Sequence, residues 1–401
     1  MLIVQKYGGT SVGTLERIRA VAERVKRTAA GGNSVVVVVS AMSGETNKLI
    51  EMAQSFSKMP PTREMDMLLS SGERVTCALL AIALTEMGNE AIALTGRQAG
   101  ILTDSVHTKA RIEAIPSAPV MEQINAGKIV VIAGFQGVTR NGEVTTLGRG
   151  GSDLTAVAIA GAIRADLCEI YTDVDGVYTT DPRIEDRAKK LATISYDEML
   201  ELASMGAKVL QNRSVELAKK LGVKVVTRSS FNENEGTVIT SEEGCMEKPV
   251  VSGIALDKNQ ARVSLIGIAD RPGIAAEIFG ALSNASVNVD MIVQTVGQDG
   301  KANLDFTIGA TELDQTKYAL EGFGAALGRQ EFDDSVAKVS IVGVGMKSHS
   351  GVASLMFESL AKENINILMI STSEIKISVV IAKKYGELAV RTLHSVYELD
   401  K

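Results

Sequence analysis

From Leu2 to about Thr240 the chain alternates short β-branched apolar runs with stretches whose apolar residues recur at helical spacing. Residues 3–6, 35–40, 91–94, 129–133, 167–172 and 223–226 are short runs rich in apolar, mostly β-branched residues. Such runs predict strands covered on both faces rather than strands with one wet side. Between them, residues 14–28 set Ile18, Val21, Ala22 and Val25 on one helical face, and 65–87, 154–163 and 196–221 repeat that spacing. Buried strands alternating with helices predict an α/β fold: a three-layer sandwich around a mainly parallel sheet, with ligands at the strands' carboxyl ends.

The pattern changes at Ser241-Glu242-Glu243-Gly244-Cys245-Met246-Glu247-Lys248-Pro249, a polar, proline-ended stretch that reads as a linker. Beyond it the chain repeats itself. Arg262-Val-Ser-Leu-Ile-Gly-Ile corresponds to Lys338-Val-Ser-Ile-Val-Gly-Val, and Gly273-Ile-Ala-Ala-Glu-Ile-Phe279 to Gly351-Val-Ala-Ser-Leu-Met-Phe357. Val287-Asn-Val-Asp-Met-Ile-Val likewise corresponds to Ile365-Asn-Ile-Leu-Met-Ile-Ser. Two related α+β units of about seventy residues follow, each reading strand, turn, helix, strand, strand, helix. The first can close with a strand at 330–332, whereas the second runs out at Leu399-Asp400-Lys401. Residues 250–256, a spare strand-like run, are expected to cross over and complete the second unit. The expected layout is 1–240 for the first domain, 241–261 for linker and spare strand, then 262–334 and 335–401 for the two modules.

Composition narrows the classes. A chain of 401 residues, 45% hydrophobic and 22% charged, suits two or three folded domains. No uninterrupted apolar run approaches the roughly 18 residues of a membrane span, and the N-terminus enters a strand without a signal-peptide pattern. Cys77, Cys168 and Cys245 are odd in number and far apart, which predicts no disulfide framework and a reducing cytoplasm. His107, His349 and His394 lack ligand spacing, so no dedicated metal site is expected. A net charge of −6 and 4% aromatic residues weigh against a nucleic-acid partner. Small ligands are the expectation.

Three glycine-bearing turns carry candidate chemistry. Lys6-Tyr7-Gly8-Gly9-Thr10-Ser11 ends the first strand before a helix, where backbone N–H groups reach phosphate oxygens and a lysine can neutralise a phosphoryl group in flight. A plain glycine turn with a solvated lysine is the bland alternative. Thr146-Leu147-Gly148-Arg149-Gly150-Gly151-Ser152-Asp153 sets one arginine among three glycines, a fork suited to a carboxylate. Helix capping alone could account for Ser152 or Asp153, but not for Arg149. Thr172-Asp173-Val174-Asp175-Gly176-Val177-Tyr178, continuing to Arg183, follows a strand and fails as a calcium loop because its glycine stands fourth. An ordinary Asp-Gly turn remains open there. Ser40–Thr46 and Ser70-Ser71-Gly72-Glu73-Arg74 add hydroxyls, a carboxylate and a glycine inside a helical pattern, the last suggesting a kink toward a ligand. Neither a P-loop nor a dinucleotide fingerprint occurs.

In this order the motifs resemble the aspartate kinases of the amino-acid kinase superfamily, and the resemblance spans essentially the whole chain. Lys6–Ser11, Gly134-Phe135-Gln136-Gly137, Thr145–Asp153 and Tyr171–Arg183 carry most of it, with Gly345–His349 and Ile370–Ile375 in the second module. The modules resemble ACT domains of order βαββαβ. The resemblance implies that Lys6 contacts the transferring phosphate, with Tyr7, Gly8 and Gly9 in the same loop, and that Asp153 orients it. It implies that aspartate is held by Thr46, Glu73, Arg149, Gly150, Gly151 and Ser152. It further implies ATP against Ser40, Thr172, Asp173, Tyr178, Arg183 and Lys208, with Mg²⁺ on its phosphates. The implied product is 4-phospho-L-aspartate, a precursor of lysine, threonine and methionine.

For the modules the resemblance implies lysine or threonine, or both, as effectors. The matching positions are Asp270, Gly273, Ile274, Ala275, Asn288, Asp290 and Gln294 in the first copy, and Val352, Ala353, Asn366, Ile367, Ser373 and Glu374 in the second. It also implies a homodimer through the modules, and a shorter regulatory chain beginning at Met246. Two alternatives stay open: a sister kinase acting on glutamate, acetylglutamate, carbamate or UMP, and a non-catalytic amino-acid sensor. Intact Lys6, Arg149 and Asp153 weigh against the sensor.

Overall fold

The computed structural model describes residues 1–204, 210–242, 249–297 and 300–401. Contacts divide them into two units. The first comprises Met1–Val177, Lys190–Ala203 and residues 210–242; the second comprises Tyr178–Lys189 and residues 249–401.

In the first unit eight strands form one sheet, in the spatial order Thr193–Ser195, Thr237–Thr240, Val225–Ser229, Leu167–Thr172, Leu2–Tyr7, Ser34–Val39, Ile129–Ala133, Ala91–Leu94. Neighbours are parallel except Val225–Ser229 with Thr237–Thr240. Helices cover both faces, as continuously apolar strands require. Leu15–Ala30 and Ser71–Glu86 bring Ile18, Val21, Val25, Cys77, Leu80 and Leu84 onto Val35, Val37, Val39 and Val131. The helix Gly151–Ala162, buried along nearly its whole length, packs on the other face beside Asn212–Leu221.

The helical pattern at 65–87 is two helices, Thr62–Leu69 and Ser71–Glu86, joined at Ser70. Together, Thr62–Glu86 is long and apolar enough by length and composition to cross a membrane, which a count of uninterrupted apolar residues did not reveal. Half of its apolar window is buried, and its inner face carries Leu80 and Leu84 into the core described above, so it is a core helix. A second, four-stranded sheet of very short strands, Ile112–Ala114, Leu102–Thr103, Gln136–Val138 and Val144–Thr146, had no forecast.

In the second unit two long antiparallel strands, Gly253–Ala269 and Arg329–Val342, run through a six-stranded sheet. Residues 260–269 pair with Lys301–Gly309, whose other neighbour is the outer strand Val289–Val296. Residues 336–342 pair with Lys376–Ala382, whose other neighbour is the outer strand Ile367–Thr372. Gly253 to Asp257 lie opposite Val342 to Lys338, and Val251 and Ile254 enter a core with Met356, Leu360, Val379 and Leu393. A separate core collects Val263, Leu265, Ile278, Leu304 and Phe306.

Contacts do not follow a single cut near residue 240. Tyr178–Lys189 clusters with the C-terminal unit, where Thr179 O accepts from Ile254 N at 2.7 Å and Thr179 Oγ1 lies 2.9 Å from His394 Nε2. Arg187 pairs with Asp400 at 3.1 Å, and Ile184 joins the Met356–Leu393 core.

Candidate active site

Consecutive strand residues point to opposite faces. On Leu2–Tyr7 this sends Lys6 toward the helix Gly151–Ala162 and Tyr7 toward Leu15–Ala30. Lys6, 8% exposed, places Nζ 2.6 Å from Asp153 Oδ1 in that helix's first turn. The helix begins at Gly150 without a side-chain cap, so neither Ser152 nor Asp153 serves as its N-cap. Glycines at the strand end follow from crowding: a Cβ on Gly8 would lie 3.3 Å from Lys6 Nζ, and one on Gly9 only 3.0 Å from Ala41 O. Tyr7 corrects the sequence expectation. Its side chain is fully buried, stacked on Tyr171 at 4.7 Å, and its hydroxyl donates to Gln5 Oε1. It faces away from the phosphate turn because Lys6 faces toward it.

Glu73 sits in the first turn of Ser71–Glu86 and is 4% exposed. Its Oε1 accepts from Ala41 N at 3.1 Å, while Oε2 is buried with no hydrogen-bond partner among the described residues. Burial pushes this carboxyl up to about 7, against the partial relief of the Ala41 N–H. Gly72 permits close packing, since a Cβ there would meet Ala41 Cβ at 2.8 Å, and the break in the helical run lies two residues earlier, at Ser70.

Across from Glu73 lies the arginine turn. Gly148 and Gly150 have φ of 80° and 71°, the left-handed region that favours glycine. Gln211 Nε2 donates to Arg149 O at 2.8 Å and packs where a Cβ on Gly150 would stand, 2.7 Å away. Arg149 itself is exposed. A cleft of about 450 Å³ brings together Lys6, Gly9, Ser40, Thr46, Glu73, Arg149, Gly150, Gly151, Ser152 and Asp153. It therefore joins a cation, a buried carboxylate and a planar guanidinium in one cavity, the set needed for an amino acid with two carboxylates and a phosphoryl donor.

Thr172 and Asp173 end the strand beside Leu2–Tyr7, outside the lining of this cleft; Thr172 Oγ1 donates to Asp173 Oδ1 at 3.0 Å. Tyr178 and Arg183 belong to the second unit, Arg183 forming a 2.7 Å ion pair with Asp181. Lys208 lies outside the described residues. Sequence reading missed Ser230, which takes part in a 2.8 Å contact from Ser11 Oγ and donates from its N–H to Thr172 O, and missed Thr108 and Gln211; Phe135, named there only within a motif, lines the cleft. Ser230 could have been found from its place just after a buried strand. Among the described residues no group of three His, Cys, Asp or Glu is arranged to hold a metal ion.

In the second unit the corresponding turns share one geometry: Gly273 and Gly351, with φ of 94° and 93°, begin the helices Ile274–Asn284 and Val352–Lys362. Asp270 and Ala275 flank the first turn, and Ala353 the second. Asn288, Asp290 and Gln294 lie on or beside the outer strand Val289–Val296; Asn366 and Ile367 begin the other outer strand, which Ser373 and Glu374 follow. Asp290 pairs with Lys338, a lysine only 4% exposed.

Residues 1–229 match the amino acid kinase family, and residues 263–321 and 339–397 each match the ACT domain. The chain is 65% identical, over the full length of both, to an aspartokinase of Helicobacter pylori. It resembles the crystal structure of Escherichia coli aspartokinase III with aspartate and ADP (R-state): TM-score 0.81, 27% identity, 99% of each chain covered. Against the same enzyme with lysine and aspartate (T-state) the TM-score is 0.79 at 27% identity, covering 98% of this chain and 99% of that one.

Proposed function

The chain belongs to the amino acid kinase family, with aspartokinases as its full-length relatives, and from that premise we propose how its residues divide the work. It is an aspartate kinase, moving the terminal phosphoryl group of ATP onto the side-chain carboxylate of L-aspartate. We assign Lys6 to the transferring phosphoryl group and Asp153 to holding Lys6 in place. The ammonium of aspartate pairs with Glu73 Oε2, a carboxylate goes to the Arg149 fork, and Thr46 and Ser152 supply hydroxyls. Gly9 gives its backbone N–H to phosphate, Gly8, whose N–H donates to Tyr171 O, leaves room beside Lys6, and Gly150 and Gly151 let the arginine turn approach the substrate. The nucleotide is assigned to Ser40, Thr172 and Asp173.

The attacking carboxylate of aspartate is ionised near neutral pH, so no general base is required. Catalysis rests on in-line positioning and on charge neutralisation at the phosphoryl group. A Mg²⁺ ion would arrive on the phosphates of ATP and would there supply charge neutralisation. The observation that carries this reading is the unpartnered Glu73 oxygen in the same cleft as the Lys6–Asp153 pair.

Regulation by lysine, threonine or both is assigned to Asp270, Gly273, Ile274, Ala275, Asn288, Asp290 and Gln294, and to Val352, Ala353, Asn366, Ile367, Ser373 and Glu374. Among the described residues the outer strands Val289–Val296 and Ile367–Thr372 each hydrogen-bond to one neighbouring strand only, which leaves an edge that a second copy would use in a homodimer through these modules. A shorter chain from Met246, outside the described residues, and a cytoplasmic location complete the proposal. The test is ADP release with a panel of amino acids, repeated with lysine and threonine. Aspartate-dependent turnover lowered by one or both effectors is expected; turnover with glutamate and none with aspartate contradicts it.

A further inference from the structure

Asp66 does not line the cleft, yet its carboxylate holds two residues that do. It lies in the helix Thr62–Leu69, fully buried. Thr146 Oγ1 donates to its Oδ1 at 2.5 Å, and Thr108 N donates to both oxygens at 3.0 and 3.1 Å. His107 Nδ1 lies 2.7 Å from Oδ2, a geometry that puts the ring proton on Nδ1. Three donors on a carboxylate without solvent account for its burial.

The consequences converge on one place. Thr108 has φ of 66°, a strained conformation for a β-branched residue that persists only when its surroundings dictate it. Asp66 supplies that constraint through both oxygens. The carbonyl of Thr108 then packs against Gly148, where a Cβ would stand 3.2 Å away, directly before Arg149. Thr146, the other anchored residue, ends the short strand that leads into the same turn. Thr108, Thr146, Gly148 and Arg149 all line the cleft. No hydrogen bond from Asp66 reaches the Lys6 end among the described residues.

We infer that Asp66 is a positioning residue for the acceptor: it fixes the wall that presents Arg149 to a carboxylate of aspartate. The inference rests on the reading of this cleft as the acceptor site. Asn in its place keeps the shape but turns one oxygen into an N–H donor, which then faces Thr108 N–H or His107 Nδ1–H.

The test is steady-state kinetics of the full chain with Asp66→Asn, His107→Ala and Glu73→Gln, with thermal unfolding alongside. Asp66→Asn is expected to raise KM for aspartate about tenfold or more, with KM for ATP within twofold. His107→Ala, which removes one of three donors, shifts the aspartate KM in the same direction by a smaller factor. Adding Thr108→Gly, which accepts positive φ without strain, to Asp66→Asn recovers part of the loss. An aspartate KM within twofold of the parent, or equal changes in both KM values, overturns the inference. Should Asp66→Asn not fold, an unchanged aspartate KM in His107→Ala overturns it. Glu73→Gln separates the two levels: if it leaves the aspartate KM unchanged, the acceptor site is misassigned, whatever Asp66 does.

Discussion

At the phosphate end of the cleft Lys6 and Asp153 already meet at 2.6 Å, whereas at the acceptor end Glu73 keeps a buried oxygen without a partner and Arg149 stands exposed. The phosphate end neutralises its own buried charge before any ligand arrives. In the proposed assignment the acceptor end carries the cost of a buried carboxylate until an ammonium relieves it, which would turn burial into selectivity for an amino acid. On this proposal one end is preorganised for chemistry and the other is completed by its substrate.

Removing the preorganised cation should have the largest effect. Lys6→Ala is expected to lower kcat by about a thousandfold or more at saturating aspartate and ATP, measured as ADP release. It also leaves Asp153 as a buried unpaired carboxylate. Next, Glu73→Gln at pH 8 should raise KM for aspartate about a hundredfold with KM for ATP little changed, because it removes the charge but keeps the shape.

The same residue has a stability signature. Burial lifts the Glu73 carboxyl from 4.5 to about 7, so the folded state holds the proton more tightly than the unfolded chain. Its contribution is therefore present in full below pH 4.5 and is lost as pH rises through 7, a swing of about 3 kcal/mol. Urea unfolding of the ligand-free protein at pH 5 and pH 8 should show this component in the parent and not in Glu73→Gln. Arg149→Lys, which keeps charge but loses the planar fork, should raise the aspartate KM about tenfold. Smallest, Gly150→Ala should cost roughly 1–2 kcal/mol of stability and a few-fold in aspartate KM, since φ of 71° disfavours a Cβ there.

The cleft residues legible in the sequence were those announced by glycine turns, after a buried strand for Lys6 and before a helix for Arg149 and Asp153. Lys6, Arg149 and Asp153 belong to this class, because close backbone approach and positive φ leave a compositional mark. Tyr7, implied only as a member of the Lys6 loop, turns its side chain the other way because strand neighbours face opposite sides. The helical period runs on through Ser70, so the break between Thr62–Leu69 and Ser71–Glu86 had no signal in spacing. Strands of two or three residues, such as Leu102–Thr103, are too short for any period to register. The membership of Tyr178–Lys189 in the second unit depends on contacts such as Thr179 with His394, far apart in sequence. Asp66 was invisible for a similar reason: an acidic residue in a helical pattern reads as a solvated face until His107, Thr108 and Thr146 are seen around it.

Whether the substrate's ammonium completes the acceptor end at Glu73 is read from the pH dependence of KM for aspartate at saturating ATP. In the parent chain KM should rise about tenfold as pH falls from 8 to 6, following protonation of a carboxyl held at about 7, while Glu73→Gln should give a high KM that is flat over this range. The same pH dependence in both proteins would contradict the claim.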